Sequence, residues 1–273
     1  MTEFLTLMMK PFVACLILTG IHAYLGLHVI ERGVIFVDLA LAQVAAFGAT
    51  VGFLWGFGLH STASYLIALG FTFVGAAIFS ATRLRKPIVP QEALIGIVYA
   101  VAAAASILVL SRAPEGGEEL KGLLVGHLLF VGWPEIVQVF LLYSIVGIVH
   151  WAARKPLLAI SQNPESAFAD GLRVHWWDFL FYVTFGLVVT SSVELAGVLL
   201  VFSFLIVPAA CGVLLAQTIS QRLLIGWTVG TLTSMAGVTA SYVWDLPTGA
   251  TVVCAFGASL LVCAALRLLR RGA

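Results

Sequence analysis

From Leu195 to Ala216 the chain carries a single polar side chain, Ser203. A run of about 20 apolar residues is the length an α-helix needs to cross the hydrocarbon core of a bilayer. Inside this run sits Pro208, followed by the small residues Ala209, Ala210 and Gly212. Proline has no N–H, and its ring clashes with the preceding turn, so a spanning helix is expected to break there. Carbonyls freed inside a membrane have to be met by protein or by a water-filled path. The sequence therefore predicts a helix that breaks at Pro208 and leaves the membrane as a small-residue elbow, with Gln217, Ser220, Gln221 and Arg222 beyond it. A kinked helix inside a bundle is the plainer alternative.

The remainder of the chain has the same character. With 61% hydrophobic and 10% charged residues over 273 positions, there are too few charges to cover a water-facing surface. The expected fold is all-α: one polytopic transmembrane helical bundle, 1–273, held in a lipid bilayer. A net charge of +1 and the lack of a basic cluster argue against a nucleic-acid partner. Cys15, Cys211, Cys254 and Cys263 lie in apolar runs without paired spacing, which reads as small buried residues rather than disulfides or metal ligands. The apolar run after Lys10 continues past Leu27 without a small-residue cleavage site, so it reads as a first span and not a signal peptide.

Apolar runs bounded by charges or turn residues mark about nine spans, at 11–30, 34–58, 62–82, 91–111, 135–153, 176–193, 195–216, 223–243 and 249–268. Placing the N-terminus outside puts all but Lys10, Arg112 and Lys121 of the 14 Lys and Arg on the inner side. The positive-inside rule thus predicts N-terminus out and C-terminus in. The longest outer loop, 111–134, is acidic through Glu115, Glu118 and Glu119. It reads either as a solvated loop or as a cation-gathering one, and its Leu123–Val131 piece as a re-entrant or interfacial helix. Asn163-Pro164 on the inner side is a helix start, with Asn as cap.

Ionisable groups inside a membrane are costly and so mark functional candidates. His22, His28, Asp38 and the amide Gln43 gather in the first predicted hairpin. If that hairpin turns near Arg32-Gly33, His22 and Gln43 lie about 15 Å deep by the helical rise. His28 and Asp38 then share a level at about half that depth. Carboxylate and imidazole are donors that divalent transition metals accept. The alternatives for Asp38 are a structural hydrogen bond or an ion pair with Arg32. His150 and Glu194 sit at predicted helix ends, where they reach water, and Asp178 begins a helix, where its charge suits the dipole.

Several stretches together resemble bacterial metal-ion ABC importer permeases, the family serving zinc, manganese and iron. They are Ala196–Leu200 with Leu205–Ala210, which resembles the family's "GvLLvsaLLiiPaatA", and Asp245–Ala250. Asn163–Leu172 is similar to its acidic "D-x-x-x-A-x-x-x-G-L" turn, and 32–48 to its "RR…GD-x-x-x-H…G" segment. The resemblance implies that Asp38 occupies the place of the Asp of "D-x-x-x-H", the metal-passage pair. Four residues on stands Ala42 rather than His, and Gln43 is five on. It also implies a docking region for an ATPase subunit over 209–222, with Pro208, Ala209, Ala210, Gly212, Gln217 and Arg222. Glu165 and Gly171 would make a secondary contact, and Gly212→Trp would uncouple a folded permease.

No G-x-x-x-x-G-K-[ST] loop or catalytic constellation occurs in the chain, so no cofactor is expected here and ATP would be bound by a separate subunit. The implied assembly is two copies of this chain, ABC ATPase subunits and an extracytoplasmic solute-binding protein, at the bacterial cytoplasmic (inner) membrane. The implied role is inward movement of a divalent transition-metal ion. The alternatives are a siderophore/cobalamin-like permease for a chelated metal, or an ATP-independent secondary transporter.

Overall fold

The computed structural model describes residues 2–58, 61–85, 88–111 and 128–272. Glu115, Glu118, Glu119 and residues 123–127 of the 123–131 piece lie outside them. Every regular element described is helical: α1 (Thr2–Arg32), α2 (Val37–Leu54), α3 (Thr62–Ala81), α4 (Gln91–Leu110), α5 (Trp133–Ala152), α6 (Arg154–Gln162), α7 (Pro164–Ala169), α8 (Val174–Ala196), α9 (Val198–Leu215), α10 (Ile219–Trp244) and α11 (Thr248–Gly272), with a 3-10 turn at Leu128–Phe130. Among the described residues nine helices are long and apolar enough to cross a membrane. They coincide with the nine predicted spans to within a few residues at most ends. α1 starts earlier than its apolar run because the helix continues through Lys10 and Pro11. α10 also starts early, since the Thr218 hydroxyl accepts the Gln221 N–H at 3.4 Å and caps it.

The expectation of a break at Pro208 is corrected. α9 runs without interruption from Val198 to Leu215, with Pro208 buried inside it. Chain direction changes only at Ala216, which is extended (φ −136°, ψ 160°). A proline orphans one carbonyl and leaves the rest of the ladder intact, and packing keeps this helix in place. A Cβ on Gly226 of α10 would stand 3.2 Å from the Pro208 carbonyl oxygen, so the glycine face of α10 lies directly over the proline. The true discontinuity is at Gly197, where α8 passes into α9 through one residue at φ 78°, ψ 157°. That conformation is essentially reserved for glycine.

The chain divides into two units, and the division passes within α1, α5 and α8. The first holds residues 1–30, 122–145 and 192–273. Here α9, α10 and α11 pack on one another. α1 lies against this layer through small residues: Trp227 Nε1 donates to the Gly20 carbonyl at 3.0 Å, and Gly26 faces the Leu205 carbonyl. Small residues let backbones approach closely, which is how helices adhere in lipid, where apolar burial offers no driving force. The turn between α10 and α11 is tied by Ser241, whose hydroxyl reaches the Leu246 carbonyl at 2.7 Å and Thr248 Oγ1 at 2.8 Å.

The second unit holds residues 31–121 and 146–191. α2 packs antiparallel on α3, with Gly52 opposite Ser64, Gly48 opposite Ala68 and Phe71, and Leu41 opposite Gly75. α2 also packs on α4. The short α6 and α7 form a hairpin on the start of α8, where Ile160, Ala167 and Val174 are buried with Phe168, Leu172 and Trp177 against them. Asn163 caps α7 as predicted, its Oδ1 accepting the Ser166 N–H at 3.0 Å, with Pro164 in the first turn.

Candidate functional site

In the first unit, His22 is completely buried at mid-helix in α1. Its Nδ1 lies 2.9 Å from the Leu18 carbonyl and its Nε2 3.1 Å from Ser192 Oγ, which in turn lies 2.5 Å from Tyr143 Oη. A carbonyl only accepts, so Nδ1 carries the proton, and Nε2 accepts from the Ser192 hydroxyl. Tyr143 then donates to Ser192. This chain of hydrogen bonds runs one way and joins α5, α8 and α1. Both ring nitrogens of His22 are thereby engaged, and a metal at Nε2 would have to displace Ser192. His28, two turns on, is buried edge-on to Tyr24 with ring centroids 4.8 Å apart.

The second unit carries the other two candidates. Asp38 stands in the first turn of α2 and is 1% exposed. Neither carboxylate oxygen has a hydrogen-bonding partner in good geometry among the described residues. The amides of its own turn and the Glu92 carboxylate are its electrostatic neighbours. Glu92, in the first turn of α4, accepts the Phe36 N–H at 3.0 Å and so closes the turn that leads into α2. Gln43 is half-buried on another side of α2. α2 is a regular α-helix throughout, so five residues separate Asp38 and Gln43 by about 140° around the axis. They do not converge. Among the described residues no three His, Cys, Asp or Glu side chains are grouped as a metal centre.

Arg32 does not pair with Asp38. Its Nη1 pairs with Asp178 Oδ1, and both side chains are fully buried. Arg32 Nε donates to Ser161 Oγ on α6 at 2.8 Å, and its guanidinium lies 4.0 Å over the Phe181 ring. Arg83 Nε approaches Asp178 Oδ2 at 3.3 Å, an ion pair rather than an aligned hydrogen bond. Arg83 Nη1 continues to Gln91 Oε1 at 3.0 Å, and Gln91 Nε2 to the Phe79 carbonyl at 2.9 Å. Asp178 is thus a buried hub and not simply a helix-start charge. His150 is likewise buried rather than in water, with Nε2 2.7 Å from Thr184 Oγ1. Glu194 is exposed, as expected; Cys254 is exposed, contrary to expectation.

These roles were hidden because hydropathy gives Arg32, Arg83 and Asp178 only as span boundaries. The available signal was opposite charge near span ends on the predicted inner side, which a sheltered pair would use.

The residues expected to meet an ATPase separate into two groups. Pro208, Ala209 and Gly212 are buried inside α9, and Ala210 is partly so. A Cβ on Gly212 would lie 2.3 Å from the Arg222 carbonyl oxygen. The expected behaviour of Gly212→Trp is therefore corrected: a side chain there forces α9 and α10 apart, and the protein would not stay folded around it. At this corner Gln217 is exposed, as are Thr218, Ser220 and Gln221, while Arg222 folds back to the Ala216 carbonyl at 3.2 Å. By contrast, Glu165, Ser166, Asp170 and Gly171 form an exposed polar edge on the α6–α7 hairpin.

The family model described as the ABC 3 transport family matches residues 4–267. The chain is 27% identical over 240 residues to the manganese transport system membrane protein MntC of Listeria innocua, covering 85% of this chain and 81% of that one. It is 24% identical over 249 residues to the chelated iron transport system membrane protein YfeC of Yersinia pestis, covering 90% and 81%. Its fold is similar to that of PsaBC from Streptococcus pneumoniae in complex with Fab, with a TM-score of 0.76, 21% identity, and coverage of 96% and 94%.

Proposed function

Because the chain belongs to the ABC 3 transport family, we propose that it is the membrane permease of an importer that carries a divalent transition-metal ion inward. A separate ATPase subunit supplies the energy. The family match over nearly the whole chain carries this reading. The complex holds two copies of the chain, receives its ion from an extracytoplasmic solute-binding protein and resides in the bacterial inner membrane, N-terminus out. Asp38 is the residue we assign to the ion path, since a buried carboxylate without a hydrogen-bonding partner is one that cargo can satisfy. Its oxygen donors, with the His22 nitrogens already engaged, favour manganese over zinc. The ATPase docks on the exposed edge of α6–α7, with Glu165 and Gly171 at its centre.

The relative named for chelated iron transport supports a second reading, in which the cargo is a metal chelate. The complex purified with its ATPase and binding protein separates the two. Hydrolysis stimulated by free manganese or iron(II) is expected; stimulation only by a chelate favours the second reading, and none by any metal rejects both. Orientation is read in intact cells carrying one engineered cysteine. A cysteine at 118 is expected to label from outside and one at 166 to remain protected, and labelling at 166 would invert the arrangement.

A further inference from the structure

The Arg32 cluster does more than neutralise charge, because its members come from five separate elements at one end of the second unit. Arg32 is the last residue of α1, Arg83 follows α3, Gln91 begins α4, Ser161 lies on α6 and Asp178 is in the second turn of α8. A buried ion pair is a poor source of net stability, since desolvation offsets most of the attraction. What it supplies is direction: a guanidinium holds its partners in a planar fork of fixed geometry. Here two different donors are committed, Nη1 to Asp178 and Nε to Ser161, so the guanidinium cannot turn without losing one of them.

Ser161 is the informative partner. It sits on the buried face of α6 beside Leu157 and Ile160, while Arg154, Lys155 and Gln162 lie exposed. Its own hydroxyl hydrogen goes to the Leu157 carbonyl at 2.8 Å, leaving the oxygen to accept from Arg32. An apolar helix face slides over its neighbours at little cost. A helix pinned by a buried, charge-assisted hydrogen bond does not, because moving it would strand the guanidinium N–H. Displacing α6 therefore displaces Arg32, and with it the end of α1.

We propose that Arg32 is a positioning residue that transmits movement of the α6–α7 hairpin to α1 through its bond to Ser161, with Asp178 and Arg83 holding the guanidinium in register. The proposal rests on the reading of α6–α7 as the ATPase docking element. Ser161→Ala removes the acceptor and little volume, and leaves the ion pairs in place. Ser161→Thr keeps the hydroxyl and serves as the rescue.

Two measurements test it on the permease–ATPase complex. The first is metal transported per ATP hydrolysed in proteoliposomes, expected to fall about 2- to 30-fold in Ser161→Ala, the range spanned by substitutions along coupled networks, and to return in Ser161→Thr. The second is the vanadate-induced change in distance between spin labels at Gln162 on α6 and Met9 on α1. A shift of about 1–2 Å or more in the wild type should change in Ser161→Ala, since α6 then moves without α1. If Ser161→Ala does not accumulate, Arg32→Lys replaces it: an ammonium keeps the charge beside Asp178 but cannot hold both partners in the fork. Wild-type ratio and wild-type distance change in these variants would overturn the proposal. Failure of the docking reading shows differently, as a wild-type complex whose Glu165→Cys does not cross-link to the ATPase. Failure of the metal reading appears as hydrolysis that no metal stimulates, and leaves the distance measurement intact.

Discussion

Asp178→Ala is expected to destabilise the folded permease by about 3–5 kcal/mol, the cost of removing one partner from a buried ion pair. The side chains of Asp178 and Arg32 are both fully buried, so solvent screening gives no relief. Loss of the carboxylate leaves Arg32 and Arg83 facing each other with no anion between them. Against a total stability of about 5–15 kcal/mol, a loss of that size is expected to show as poor accumulation in the membrane or a sharply lowered thermal midpoint in detergent. Arg32→Ala should cost more than Arg83→Ala. Arg32 also bonds Ser161 and stacks on Phe181, whereas the Arg83 contact to Asp178 is longer and less well aligned. A wild-type midpoint for Asp178→Ala would mean that water reaches the cluster.

Asp38→Asn is expected to produce the opposite combination: a permease at least as stable as the wild type that no longer takes up metal. No well-aligned hydrogen bond of the carboxylate is lost among the described residues, and the amide oxygen of Asn still faces the N–H groups of its own turn. What disappears is a buried charge and its repulsion from Glu92. Removing an unpaired buried charge relieves a cost of several kcal/mol in principle, so the thermal midpoint should hold or rise. The ATPase should still co-purify, because α6–α7 is untouched. Uptake of radiolabelled manganese or iron by cells lacking other importers provides the functional readout, expected to fall to background. Normal uptake, or a collapsed midpoint, would make Asp38 a structural residue and move the ion path elsewhere.

Periodicity and length alone determined a great deal here. Apolar runs of about 20 residues with charged ends locate the nine spans, because a bilayer tolerates few other backbone solutions. Asn163-Pro164 announced α7 for an equally local reason, since a cap and a fixed φ act within one turn. The family was legible too, in Ala196–Ala210 and Asn163–Leu172.

Only the tertiary structure decided which polar groups meet. Pro208 reads as a helix breaker until the glycine face of α10 is seen to lie over it. Asp178 reads as a helix-start charge, yet it is the centre of a buried cluster drawn from α1, the turn after α3, and α8. His22 reads as a ligand, and its partners Tyr143 and Ser192 lie more than a hundred residues away in sequence. Hydropathy is a property of each segment against lipid, summed residue by residue. A hydrogen bond between spans depends on the rotation and depth of two helices at once, and that is settled only when the small residues let them pack.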